Sequence, residues 1–327
     1  MTGPSGSRRL VDPQLLPLLD AWPQIELTRE MLPEVRAMDR LPMPELSVAA
    51  AAVELTRRTA PGPAGAPDVR MLVYRPGDAK GELPCIFHIH GGGYVIGSVD
   101  AQEPQHRDMA ATLGCTIITV DYRLAPETVF PGAIEDCHAA LSWVFANAGQ
   151  LGVDPARIGL MGESAGGGLA ASLALLTRDR GEYRLAFQHL IYPMLDDRTC
   201  SRADPHPHAG EFIWTAHNNR FGWAAILGVE PGSDGVSPYA AAARADDLTG
   251  LPPACVATGG LDLFLEEDME YARRLMRAGV PVELHVYPGG FHGFDFDPAA
   301  DVSARARRDS MAALSRFLKG ARAPEVS

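Results

Sequence analysis

The sequence has little cysteine, and what it has does not pair by spacing. Cys85, Cys115, Cys137, Cys200 and Cys255, an odd number, lie far apart with no CxxC couple, which leaves no disulfide framework or thiolate metal site to read. Three sit in strand-like runs and one in a helix-like run, so buried thiols are expected, with no metal and no cofactor. Long apolar runs are also missing. No stretch reaches the ~20 residues of a membrane-spanning helix, and the opening MTGPSGSRRL lacks the apolar core of a secretory signal. A cytoplasmic chain without stable membrane insertion is expected. Positive charge is scarce: 29 Lys and Arg against 41 Asp and Glu give a net charge of -12, so only a local basic patch could offset repulsion from a phosphate backbone. The nearest group, Arg305, Arg307 and Arg308, is flanked by Asp301 and Asp309 and reads as a solvated helix face. Nucleic acid drops out as a partner. Internal repeats and low-complexity tracts are absent too, which excludes a solenoid.

What remains is an ordinary folded chain. Its 327 residues, 46% hydrophobic and 21% charged, suffice for one large domain with an added subdomain. From about residue 68, β-branched runs alternate with helix-length amphipathic segments, the pattern of a mostly parallel central sheet with helices on both faces. Strands are expected at 69–74, 84–88, 115–120, 158–161, 187–192, 254–258 and 282–287, and helices at 102–113, 134–148, 167–176, 266–278 and 302–318. The alternation stops for roughly 40 residues, a length that marks a lid or binding loop. The first 45 residues hold Leu- and Pro-rich helical fragments with Trp22 but no strand pattern. The expected layout is an N-terminal cap segment 1–45, an α/β catalytic domain 46–195 and 239–327, and a cap insertion 196–238. Both cap pieces are expected over the sheet's carboxyl edge, where open α/β sheets bind ligands.

Gly162-Glu163-Ser164-Ala165-Gly166 fits G-x-S-x-G, whose glycines permit a strained turn that lifts the serine hydroxyl above a sheet. Alone, the pentapeptide is equally a flexible turn. Its position between a strand and a small-residue helix favours the nucleophile reading, because a helix N-terminus also favours developing negative charge. His90-Gly91-Gly92-Gly93 follows the 84–88 strand directly, and consecutive glycines let backbone N–H groups converge on an oxyanion. Gly92 and Gly93, with the N–H of Ala165, are the expected donors. A glycine hinge is the alternative, since the spacing matches no phosphate loop.

A neutral-pH serine nucleophile needs a base such as imidazole. Of ten histidines, His292 lies in the loop after the last expected strand, at the same sheet edge as Ser164. His138, His206 and His208 read as structural or surface residues. The orienting acid should lie between serine and histidine in chain order, which selects Asp262, with Glu267 as the fallback. Glu266, Glu267 and Asp268 read as helix-opening acids that complement the dipole.

With these motifs in view the chain resembles the bacterial hormone-sensitive-lipase-like (family IV) esterases of the α/β-hydrolase superfamily. The likeness rests on His90 to Gly93 continuing as Tyr94-Val95-Ile96-Gly97, Asp121-Tyr122-Arg123-Leu124-Ala125-Pro126-Glu127, Glu135-Asp136-Cys137, the serine elbow with Gly167, and Phe291-His292-Gly293-Phe294. It implies hydrolysis of small carboxylic esters with short to medium acyl chains, no cofactor, a two-part cap and often a homodimer, with residues 121–127 structural and Ala125-Pro126 cis. Two departures stand out. Leu263-Phe264-Leu265-Glu266-Glu267 follows Asp262 where the family has Pro-Leu-Arg-Asp-Glu, and Glu163 precedes the serine where Asp is common.

Trp22, Tyr94, Phe212 and Trp214 are candidate pocket residues, with Ile213 and Phe221 as further apolar cap surface. Hydrolysis of an amide, formamide or lactone would use the same triad, and a ligand-binding protein on this scaffold is the rival outside catalysis. The strand 282–287, expected at an open sheet edge, invites a homodimer.

Overall fold

The computed structural model describes residues 6–38 and 46–320. Residues 1–5 and 39–45 of the expected cap segment, and 321–327 at the other end, lie outside the described residues. Its eight strands are β1 (Val53–Ala60), β2 (Val69–Pro76), β3 (Leu83–Ile89), β4 (Thr116–Asp121), β5 (Val153–Glu163), β6 (Gln188–Ile191), β7 (Ala254–Gly259) and β8 (Val282–Tyr287). They form one sheet in the order β1-β2-β4-β3-β5-β6-β7-β8. Every pairing from β4 to β8 is parallel, while β2 runs antiparallel to both β1 and β4. The α/β-hydrolase expectation is borne out.

Three short helices come first, α1 (Leu16–Ala21), α2 (Leu32–Ala37) and α3 (Val48–Ala51), then α4 (Glu103–Leu113), α5 (Gly132–Ala146), α6 (Ala148–Leu151) and α7 (Ala165–Arg180). Next are α8 (Ala216–Leu227), α9 (Leu265–Arg277) and α10 (Asp301–Lys319). Strand side chains alternate between faces. Phe87, Ile118 and Leu160 share a core with Leu141, Leu173 and Leu275 of α5, α7 and α9, whereas Ile86, Ile117 and Met161 pack with Ala110 and Leu314 of α4 and α10. Strands covered on both faces read as unbroken apolar runs, which is why the central ones were legible.

β1 has no counterpart in the sequence reading. It is an edge strand whose middle carries Arg57 and Arg58 in exposed positions, so it shows no apolar run. The expected helix 134–148 divides at Asn147, whose side-chain amide donates to the Trp143 carbonyl (2.8 Å) and closes α5. β5 starts at Val153, ahead of the expected 158, because Val153 already pairs with Leu83 across a register shift. Residues 196–238 contain the helix α8, with Thr215 capping its start through the Asn218 N–H.

The two expected cap pieces are bonded to each other. Asn218 of α8 accepts from the Leu27 N–H (2.8 Å) and donates to the Ile25 carbonyl (2.9 Å). Arg36 then ties α2 to the core, donating to the carbonyls of Val95 and Ala125 and pairing with Glu127. Among the described residues no helix is long and apolar enough to cross a membrane.

Candidate active site

β5 delivers Ser164 at its carboxyl end, where the chain turns straight into α7. The serine adopts φ 54°, a left-handed conformation costly for a residue with a side chain. The turn closes only because its neighbours are glycines: a Cβ on Gly166 would lie 2.0 Å from the Ile89 carbonyl oxygen, and one on Gly162 2.3 Å from that of Gly166. Ser164 Oγ is then 3.0 Å from His292 Nε2. The Nδ1–H of His292 donates to Asp262 Oδ2 at 2.9 Å, which leaves Nε2 as the acceptor for the serine hydroxyl. The three side chains, from β5, β7 and β8, meet at one sheet edge and are nearly closed to solvent: Ser164 is 6% exposed, His292 7% and Asp262 0%.

The unusual sequence after Asp262 does not disturb its turn. Asp262 Oδ1 accepts from the Phe264 N–H (2.9 Å), and the loop carrying it is tied to the histidine loop by Leu261 N–H to Gly290 carbonyl (2.8 Å). Phe264 meets the His292 ring edge-on at 5.2 Å, and Tyr192 meets the same ring edge-on at 4.7 Å. These rings limit the tilt of the imidazole. Tyr192 itself is held by donating to Asp295 (2.8 Å). Neither residue carried a sequence signal beyond its apolar run.

Glu267, the fallback acid, is elsewhere. Its carboxylate accepts from the N–H groups of Leu195 (2.6 Å) and Asp196 (3.1 Å) and from the Thr199 hydroxyl. Glu266, Glu267 and Asp268 do stand in the first turn of α9, but Glu267 and Asp268 are also buried, 2% and 0% exposed. The apolar face of the amphipathic α9 rolls both into the core, and burial drives the Glu267 carboxyl up to about 8 and that of Asp268 well above the carboxylate range.

The glycine turn after β3 lies against the elbow. A Cβ on Gly91 would meet the Glu163 carbonyl oxygen at 2.8 Å and Ser164 Cβ at 3.4 Å. Gly92 (φ 118°) and Gly93 (φ 58°) take conformations open mainly to glycine, and the Gly92 carbonyl accepts from Val95 and Ile96. Tyr122 props the turn from below, its hydroxyl donating to the His90 carbonyl (2.9 Å) and its ring stacked on His90 at 4.4 Å. Burial lowers the His90 imidazole to about 4, so it is neutral. Ala165 opens α7, where the first N–H groups have no partner within the helix.

Trp214 covers this turn. A Cβ on Gly93 would fall 2.1 Å from its ring, and its indole centroid lies 6.2 Å from that of His292. The indole N–H donates to Asn219 Oδ1 (3.1 Å), and Asn219 Nδ2 reaches Cys200 Sγ (3.0 Å). The other candidate pocket residues have partners of their own. Tyr94 is buried, its hydroxyl donating to the Met194 carbonyl (3.2 Å). Phe212 packs edge-on against Phe291, and Trp22 stacks on Phe296. A cavity of about 240 Å³, lined by Cys200, Ala216, Leu263 and Glu267, lies beside Asp262's loop.

Among the described residues Cys255, Glu283 and His285 could together face a metal ion, but Glu283 is already engaged by His285 and Arg316. All five cysteines are free thiols.

Comparison with known proteins bears on this arrangement. A family described as alpha/beta hydrolase fold matches residues 86–296. The chain belongs to this family. Within it, the resemblance to the hormone-sensitive-lipase-like branch is upheld. Carboxylesterase NlhH of Mycobacterium tuberculosis is 35% identical over 97% of this chain and 99% of its own. Esterase LipI of the same organism is 34% identical over 95% and 96%. Among solved structures, a bacterial heroin esterase superposes with a TM-score of 0.86 at 38% identity, covering 95% of this hydrolase and 99% of that chain. Esterase LipW of Mycobacterium marinum gives 0.79 at 30% identity over 97% and 98%.

Proposed function

We propose that this hydrolase cleaves carboxylic esters of short to medium acyl length through a Ser164–His292–Asp262 triad and an acyl-enzyme. The observation that carries the reading is the continuous relay of 3.0 Å and 2.9 Å from Ser164 through His292 to Asp262. Relatives named carboxylesterase and esterase support the ester class. In this reading Ser164 Oγ attacks the ester carbonyl while His292 Nε2 takes its proton, and Asp262 stabilises the imidazolium. The N–H groups of Gly92, Gly93 and Ala165 hold the oxyanion. His292 then protonates the leaving alcohol and activates water for deacylation. No step calls for a cofactor.

Residues 1–45 and 196–238 act as the cap over a catalytic domain of 46–195 and 239–327, a division supported by the Asn218 bonds to Ile25 and Leu27. Trp214 walls the pocket, and Tyr94, Phe212 and Trp22 back it. A homodimer through β8 is supported by that strand's position at the sheet edge; light scattering should return a two-chain mass, and a one-chain mass removes it.

The deciding experiment is steady-state hydrolysis of p-nitrophenyl esters of graded acyl length by wild type, Ser164→Ala and His292→Ala. Short chains should be turned over best, and both variants should lose about 10⁴-fold or more in kcat. A folded wild type inert to every ester, but active on an amide or lactone, would move the reading to that bond.

A further inference from the structure

The residue before the nucleophile is the glutamate that departs from the family pattern, and the mechanism leaves it unused. Glu163 Oε2 lies 2.9 Å from His88 Nε2, and Oε1 3.2 Å from the same atom. His88 comes from β3, two residues ahead of the glycine turn, and its side chain is 0% exposed. Its other nitrogen, Nδ1, is 3.0 Å from the Thr119 hydroxyl of β4. A carboxylate only accepts, so His88 Nε2–H donates to Glu163 and, in the neutral ring, Nδ1 accepts from Thr119. His106 of α4 closes over the imidazole edge-on at 4.3 Å.

We infer that Thr119, His88 and Glu163 form a tether across β4, β3 and β5 that holds the serine elbow in register with the glycine turn. The inference rests on the esterase reading above and adds a positioning role to it. Three observations converge. The Glu163 carbonyl is itself the surface on which Gly91 rests, so a shift of residue 163 moves the nucleophile and the oxyanion turn together. Ser164 follows at once in a strained conformation that surrounding contacts must over-determine. The strands pair His88 with Met161 and Ile89 with Gly162, so residue 163 lies beyond the last β3–β5 pair, where a carboxylate on the longer glutamate stem reaches back to His88. Burial alone would raise the Glu163 carboxyl, yet the hydrogen bond from His88 and a backbone hydrogen bond help hold it below the ordinary carboxylate value.

The test combines ester kinetics with the rate at which a fluorophosphonate labels Ser164, in wild type, Glu163→Met, His88→Phe, the double variant and Glu163→Gln. Each apolar single variant should lose about 10–100-fold in kcat and in labelling rate, with KM changed by less than about threefold, because misalignment damages the reacting geometry and not the pocket. The double variant should be no slower than the worse single, and Glu163→Gln, which keeps an acceptor at the same reach, should recover most of the loss. Folded variants that label at the wild-type rate, losses that multiply in the double variant, or a change confined to KM would each overturn the tether. Should Glu163→Met not fold, His88→Phe combined with Thr119→Val gives the same reading from the other end of the tether. A folded wild type that neither labels nor turns over esters overturns the esterase reading itself, whereas an active wild type with indifferent variants removes only the tether.

Discussion

Gly93 shows how tightly the chemistry is bounded at the scale of one residue. Alanine there would need φ near 58° and a methyl group 2.1 Å from the Trp214 ring. Gly93→Ala should therefore cost about 10²–10³-fold in kcat, comparable with losing one oxyanion donor, and Trp214→Ala in the same chain should restore part of it by removing the clash while leaving the backbone strain. Kinetics of the two variants and their combination check this. Glu267 gives a pH prediction. Its carboxyl sits at about 8 in the folded chain against 4.5 when free, so between those values the folded state holds a proton that the unfolded state has released. Stability contributed by the neutral form is full below about pH 4.5 and declines as pH rises through 8. Glu267→Gln cannot ionise, and between pH 5 and 9 its Tm should fall less than that of wild type by about 5 °C or more; parallel falls would contradict the buried-acid reading.

Between elements, the sequence was most readable where burial is complete on both faces. β3, β4, β5 and β7 announced themselves as apolar runs, and the elbow, the glycine turn and the His292 loop fell at strand ends because strands ended there. β1 stayed hidden because an exposed edge strand needs no apolar run. The burial of Glu267 and Asp268 stayed hidden for a related reason: both open α9 as acids in a first helical turn should, but only the packing of α9 reveals that the two face inward. The cage of Phe264 and Tyr192 around His292 depends on rings brought together across β6, β7 and β8, which no local pattern encodes. The contact between α8 and the N-terminal segment is of the same kind and carries its own prediction. Asn218→Ala removes a donor and an acceptor at once, leaving the Leu27 N–H and Ile25 carbonyl unpaired. It should cost about 1–3 kcal/mol and speed hydrogen exchange at residues 25–27, with sheet amides unchanged; uniform exchange would mean the segment holds without α8.

For the whole molecule, the sheet order sets where function can reside. Ser164, Asp262 and His292 leave the carboxyl ends of parallel strands, and the glycine turn leaves β3 beside β5, so groups remote in sequence converge on one edge. The cysteines sample the same body from within. Cys85 in β3, Cys137 in α5, and Cys255 in β7 are at most 1% exposed, as is Cys115 ahead of β4, while Cys200 is half-buried in the 196–238 insertion. Burial drives the thiols of Cys115 and Cys255 up to about 12, so near pH 8 they hold almost no reactive thiolate until water enters. With no disulfide to interfere, the native chain carries five built-in opening sensors. Under a thiol reagent Cys200 should react first, recording motion of the 196–238 insertion, and the four buried thiols only as their own segments unfold. Cys200 reacting no sooner than the rest would mean that the insertion opens only when the whole protein does, and that substrate must enter without it moving.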